Sequence, residues 1–191
     1  MYTLEKGAKL IELARHSIET FIQKKPLNTA PYREFQDVSG VFVTIKKDSR
    51  LRGEMGFLET TELLYMAVVK AARDAAFRDK RFSPVKEEEL NEIEIEITII
   101  TKPVLMRALR AEDYLKQIDV GYDGLVIRAG IFSSVMLPQS AGRDWDAERM
   151  LRQLCMSAGM TMDAWKGLSH QIFRFQAQVF AERRGKVVEL I

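Results

Sequence analysis

The segment at residues 92–100, EIEIEITII, is the strongest constraint on how this chain can fold. Isoleucines alternate along it with Glu94, Glu96 and Thr98. Successive side chains of a β-strand point to opposite faces, so this period of two predicts a strand with one apolar face and one face in water. The apolar face must be covered, so the chain has to supply helices or further strands around it.

Several other stretches have the composition and periodicity of strands. They are rich in β-branched and aromatic residues and are separated by turn residues. They are residues 40–47 and 51–58, which would pair through a turn at residues 48–49, residues 123–138, which would fold back at residues 129–130, and residues 173–179.

Three helices are predicted between these strands. The first covers residues 3–23 and ends before Pro26, and Thr60 or Thr61 would cap the second. The second helix has a stripe of small and apolar residues that would let it lie close to a sheet: Leu64, Ala67, Val68, Ala71 and Ala75. The third, closed by Gly159, has one apolar face: Ala147, Met150, Leu151, Leu154, Cys155 and Ala158.

Hairpins mixed with helices predict an α+β fold, a mostly antiparallel sheet with helices packed on it. A length of 191 residues suits one domain over residues 1–191, or two lobes that share one core.

Composition excludes several classes of function. The net charge is only +2, so nucleic-acid binding would require a clustered basic patch. One cysteine and two histidines exclude a disulfide framework and disfavour a metal site. The sequence contains no phosphate-binding or dinucleotide-binding motif, so no cofactor is predicted. The charged N-terminal segment and the absence of an apolar run of roughly 18 residues predict a cytoplasmic protein without a membrane segment.

The segment LRGEMGFL, residues 51–58, contains the best candidate for a site. Strand alternation would place Arg52 and Glu54 on one face, and glycines such as Gly53 and Gly56 allow close approach to the backbone. One interpretation is an exposed ion pair of little energetic weight. The other is the wall of a cleft, in which Arg52 orients Glu54 for acid/base chemistry.

The remaining chemically active residues have more than one interpretation. The basic residues around Arg81 form either a solvated helix end or an anion-binding corner. Cys155 lies on an apolar helix face and is expected to be buried and unreactive. His170 is expected to make a local hydrogen bond rather than to catalyse.

An ordered set of segments resembles the AMMECR-one domain family over residues 5–183. The segments are GVFVTIKK, LRGEMGFLE, AAFRDKRFSPV, EIEIEITIIT, GYDGLVIRAG, VMLPQ, DW and FRFQAQVFAE. The resemblance implies the family's two-lobed fold, and the family has no settled biochemical activity. It also implies a link to radical S-adenosylmethionine and Memo-type proteins in a pathway that modifies a biomolecule.

One residue departs from the family pattern. The family segment usually reads Leu-Arg-Gly-Cys-Ile-Gly, whereas Glu54 stands here in place of the cysteine. A thiol mechanism at this position is therefore excluded, although a carboxylate can still act as a base or nucleophile. We therefore expect Arg52 to matter more than Glu54 for binding.

Two functions follow from these observations. In the first, the protein is an enzyme or an enzyme partner: Arg52, Gly53, Gly56, Arg81 and Gln139 form the binding site and Glu54 moves a proton. In the second, the same cleft belongs to a non-catalytic regulatory module that binds a protein or a nucleic acid.

Overall fold

A computed structural model describes all 191 residues, Met1–Ile191. The chain forms two compact units. The first unit contains Met1–Ile100 and Gln178–Ile191, and the second contains Thr101–Ala177. The long strand β7, Gln171–Arg183, supplies its first residues to the second unit and its last residues to the first.

The first unit is an antiparallel sheet with two helices packed on it. Its strands run in the order β2, β1, β3, β7, and β8 pairs with β7. The element bounds are α1 Leu4–Ile22, β1 Gly40–Lys47, β2 Arg50–Phe57, α2 Leu64–Phe77, β3 Ile93–Ile100 and β8 Lys186–Glu189.

The core of the first unit lies between the sheet and the two helices. The apolar stripe predicted for α2, with alanines at three of its five positions, is buried there. The alternating isoleucines of β3 are buried with it: Ile93, Ile95, Ile97 and Ile99. Gly53 of β2 shows how closely α2 approaches, because a Cβ atom added to Gly53 would lie 2.2 Å from the carbonyl oxygen of Ala75.

The second unit has a smaller sheet and its own core. The first half of β7 pairs with β4 on one side and with β5 on the other, and β5 forms a hairpin with β6. Trp165 and the predicted apolar face of α4 form the centre of this core. The element bounds are β4 Val104–Leu105, α3 Glu112–Leu115, β5 Asp123–Ala129, β6 Phe132–Met136 and α4 Ala147–Ser157.

The α+β class is confirmed, and two local expectations are wrong. The second face of β3 is not in water, because Glu96 and Thr98 are fully buried. The helix α2 is not capped by a threonine: it begins after Leu63, and the Thr60 hydroxyl instead accepts a hydrogen bond from the N–H of Glu62 in the preceding turn. None of the helices combines the length and apolar character needed to cross a bilayer.

Candidate functional site

Three polar side chains form a row across the sheet of the first unit. Strand pairing places Glu54 on β2 beside Thr44 on β1, and Thr44 beside Glu96 on β3. Their neighbours Gly53 and Ile45 belong to the face that α2 covers, so alternation puts the row on the opposite face. We call Glu54, Thr44 and Glu96 the polar row.

Glu54 has a hydroxyl partner and no cation of its own. The Thr44 hydroxyl donates a hydrogen bond of 2.9 Å to Oε2 of Glu54. Burial raises the pKa of the Glu54 carboxyl, and the negative charges of Asp79 and Glu96 add to the increase. The Thr44 hydrogen bond and the Arg81 charge act in the other direction without cancelling it. Compared with a solvated glutamate, the surroundings therefore shift the Glu54 carboxyl toward its neutral form.

Glu96 is fully buried and is held by two cations. Its Oε1 accepts a hydrogen bond of 2.6 Å from Nζ of Lys46 and another from the guanidinium of Arg183. Arg183 extends this network to Glu94 on the same strand, with 3.4 Å between Nη1 and Oε2. Oε2 of Glu96 is buried and has no hydrogen-bond partner.

Asp79 and Arg81 occupy the open edge of β2. The Asp79 carboxylate accepts a hydrogen bond of 2.9 Å from the backbone N–H of Glu54. Arg81 donates one of 3.2 Å to the carbonyl oxygen of Glu54. The two side chains are themselves paired, with 2.7 Å between Nη2 and Oδ2. The hydrogen bond from Arg81 is the main cause that lowers the pKa of Asp79 to about 2.

Arg52 lies at an irregularity of β2. Ile45 pairs with Gly53 and Lys46 pairs with Leu51, so Arg52 is the extra residue of a bulge. Its guanidinium donates two hydrogen bonds, of 2.9 and 3.0 Å, to the carboxylate of Glu89.

The rest of the Arg52 guanidinium is also engaged within the chain. It donates to the carbonyl oxygens of Ser83 and Pro84 at 2.8 and 3.4 Å. These contacts tie the bulge to the segment after α2. A role for Arg52 in binding a ligand stays a prediction.

Gly53 and Gly56 each have a packing reason. A Cβ atom at Gly53 would collide with α2, and one at Gly56 would lie 2.4 Å from the carbonyl oxygen of Val41 and 2.5 Å from the ring of Phe42. Gln139 belongs to the second unit, where it lies on the single turn Pro138–Ser140.

The structure thus brings Glu54 and Arg81 into contact and adds partners that the sequence did not single out. Thr44, Lys46 and Arg183 are separated from Glu54 along the chain and depend on strand pairing to reach this region. Asp79 lies in the same basic segment as Arg81. Its position two residues before Arg81 is the sequence feature that indicates their pairing.

The charges around the polar row balance except at Glu54. Lys46 and Arg183 are paired with Glu96 and Glu94, and Arg81 is paired with Asp79. A buried carboxyl without its own counter-charge stays protonated to a higher pH than a solvated one. A carboxyl whose pKa is raised in this way holds its proton more readily than a solvated glutamate, which suits general acid/base chemistry.

The antiparallel sheet with packed helices and the polar row define an α+β protein with a candidate acid/base site. Residues 11–180 match the sequence model of AMMECR1, and the chain belongs to the AMMECR1 family.

Relatives and a solved structure support this membership. Protein MJ0810 of Methanocaldococcus jannaschii is 37% identical over 195 residues, which cover 99% of this chain and 97% of the relative. Protein TK0174 of Thermococcus kodakarensis is 38% identical and covers 96% of this chain and 94% of its own length. The crystal structure of the uncharacterized protein PH0010 from Pyrococcus horikoshii matches with a TM-score of 0.90 at 34% identity, covering 97% of this chain and 96% of that one.

Proposed function

We propose that this protein acts as an enzyme, or as a subunit of an enzyme, in a pathway that modifies a biomolecule. Glu54 is the group that moves a proton in this proposal. The observation that carries it is the charge balance around the polar row, which leaves the half-buried carboxyl of Glu54 held by a hydroxyl instead of a cation. Carboxyls whose pKa is shifted by burial and neighbouring charges are more frequent at functional sites than elsewhere in proteins.

The remaining parts of the site have supporting roles. Asp79 and Arg81 hold the backbone N–H and C=O of Glu54, which fixes the strand that carries the reacting carboxyl. The exposed part of Arg81 can also contact an anionic group of a substrate, because 53% of its side chain is accessible. Arg52 stabilises the bulge next to Glu54 through its hydrogen bonds to Glu89, Ser83 and Pro84.

The proposed pathway includes a radical S-adenosylmethionine enzyme and a Memo-type protein. This part rests on the family resemblance, and the experiment that tests it is capture of partners and small molecules from a native lysate. The full chain serves as bait, next to Glu54→Gln and the control Glu59→Gln, which changes an exposed glutamate just beyond β2. Bound compounds and proteins are identified by mass spectrometry.

The proposal predicts a specific pattern in this experiment. Glu54→Gln captures the same compound as the wild type but converts it at least 100-fold more slowly, which is the size expected for a lost acid/base group. Glu59→Gln converts it at the wild-type rate. Conversion by Glu54→Gln at the wild-type rate would contradict the proposal.

A second function is a non-catalytic regulatory module that binds a protein or a nucleic acid. The observation in its favour is a set of exposed basic side chains after α2: Arg78, Lys80 and Arg81. Arg78 and Arg81 are already paired with Asp74 and Asp79, which weakens the attraction of this surface for phosphates. Fluorescence anisotropy with labelled oligonucleotides tests it, and binding that persists after all three residues are changed to alanine would exclude this surface.

A further inference from the structure

We infer that the second unit has a binding pocket for a neutral heteroaromatic ring that carries hydrogen-bonding groups along one edge. The pocket is open to solvent, lies between the turn of the β5–β6 hairpin and the segment that follows α4, and has a volume of about 610 Å³. This volume is within the range of sites that hold small molecules. Every residue that lines the pocket belongs to the second unit, so this inference is independent of the proposed acid/base site.

Three polar side chains in the pocket are not used by the fold. The hydroxyls of Thr161 and Ser169 and the ring of His170 line it, and none of them forms a side-chain hydrogen bond within the chain. The local hydrogen bond expected for His170 is made by its backbone N–H, to the carbonyl oxygen of Gly167 at 3.4 Å, and not by its ring. A hydroxyl can donate or accept, and a neutral imidazole does one at each nitrogen, so the pocket offers both kinds of group.

The rest of the lining sets the class of ligand. Phe132 and Met160 contribute an aromatic ring and a thioether, both of which pack well against planar rings. No Asp, Glu, Lys or Arg lines the pocket, so a charged ligand would find no counter-charge. A neutral ring is therefore favoured, and its polar edge would face Thr161, Ser169 and His170.

Two glycines keep the wall of the pocket open. Gly130 and Gly159 have positive φ angles of 62° and 77°, which side-chain-bearing residues rarely adopt. A Cβ atom at Gly130 would meet nothing within 4 Å, and one at Gly159 would meet only the ring of Phe132, at 4.0 Å. The backbone at both positions is thus accessible to a ligand, since no side chain fills the adjacent space.

The test is a titration of the full-length, ¹⁵N-labelled protein with adenine and with toluene, followed by NMR. Adenine has the ring and a polar edge, whereas toluene has only the ring. We expect adenine to cause saturable shifts in the amides of residues 129–132 and 159–170. We expect toluene to bind at least fivefold more weakly, because it leaves the polar side chains without partners.

Variants test whether the polar side chains of the pocket, rather than nonspecific apolar contact, determine adenine binding. Thr161→Val and Ser169→Ala should each weaken adenine binding about fivefold, as expected for one lost hydrogen bond. Ser133→Ala removes an exposed hydroxyl of β6 that does not line the pocket, and it should leave binding unchanged. The inference is overturned if adenine gives no saturable shift at these amides up to about 10 mM, a weak limit on the affinity scale. It is also overturned if toluene binds as tightly as adenine or if all three variants behave alike.

Discussion

Glu54 and Glu96 are carboxylates of the same row with different partners. Two cations meet Oε1 of Glu96, whereas Glu54 has the Thr44 hydroxyl. An ionised carboxylate in a buried position needs a counter-charge, and a protonated one needs only hydrogen bonds. The two residues therefore differ in their surroundings: Glu96 anchors a charged network, and Glu54 is the residue that we propose exchanges a proton.

This difference predicts opposite responses to the same substitution. Glu96→Gln should lower the free energy of unfolding by about 3 kcal/mol, because Lys46 and Arg183 lose the carboxylate that holds them. Glu54→Gln should leave the free energy of unfolding at pH 7 unchanged or slightly higher, since a neutral amide replaces a carboxyl whose charged form is disfavoured. Chemical denaturation of both variants measures the difference, and equal losses would refute the assignment of roles.

The single cysteine supplies a second prediction at this scale. Cys155 is buried on the inner face of α4, as the sequence predicted, and burial raises the pKa of its thiol. Because the thiolate is the reactive form, labelling of the native protein by a thiol reagent should be slow and should accelerate in denaturant. Rapid stoichiometric labelling of the folded protein would show that the side chain is accessible.

At the scale of elements, the edge of β2 is the feature next to the site. An exposed strand edge offers unpaired N–H and C=O groups to other chains. Asp79 and Arg81 occupy those groups at Glu54, so two side chains take the place of a neighbouring strand there. The same contacts fix the backbone of the candidate acid/base residue.

Asp79 should therefore contribute stability that depends on pH. Its pKa in the folded protein is about 2, below the value of roughly 3.9 for an unperturbed aspartate. A depressed pKa means that the stabilisation is present above about pH 4 and is lost as the pH falls toward 2. Asp79→Asn should lower the free energy of unfolding by about 1.5 kcal/mol at pH 7, and this difference should shrink between pH 4 and pH 2. A difference that stays constant across that interval would contradict the ion-pair account.

Local patterns predicted the elements, whereas long-range pairing decided the site. The alternation of β3, the stripe of α2 and the face of α4 identified buried residues correctly, because each depends only on the period of its own element. The burial of Glu96 could not be predicted, since an alternating Glu has the same pattern on a wet face and on a covered one. The bulge at Arg52 was also hidden, because it depends on the pairing with β1.

At the scale of the whole molecule, the first unit is not one continuous stretch of chain. It needs Gln178–Ile191, which follow the second unit, and β7 runs without interruption from one unit into the other. The family membership covers both units, since the match extends over residues 11–180. The first unit is therefore complete only when residues 178–191, which follow the second unit in sequence, have joined it.

This connectivity predicts cooperative behaviour. Limited proteolysis should give one resistant fragment that covers most of the chain, and thermal unfolding should show a single transition. A cut between residues 102 and 122 separates the first three strands from the end of β7, so it should destabilise the first unit. Recovery of two independently stable halves after such a cut would refute the prediction of a single cooperative domain.

The central claim is that the pKa of Glu54 is raised above that of an ordinary glutamate, and its titration in the intact protein tests this most directly. The side-chain carboxyl carbons of the glutamates, labelled with ¹³C, are followed by NMR from pH 3 to pH 9, and Glu54→Gln identifies the resonance. An unperturbed glutamate titrates at about 4.3. The account predicts a midpoint for Glu54 clearly above that value, and a midpoint at or below it would contradict the account.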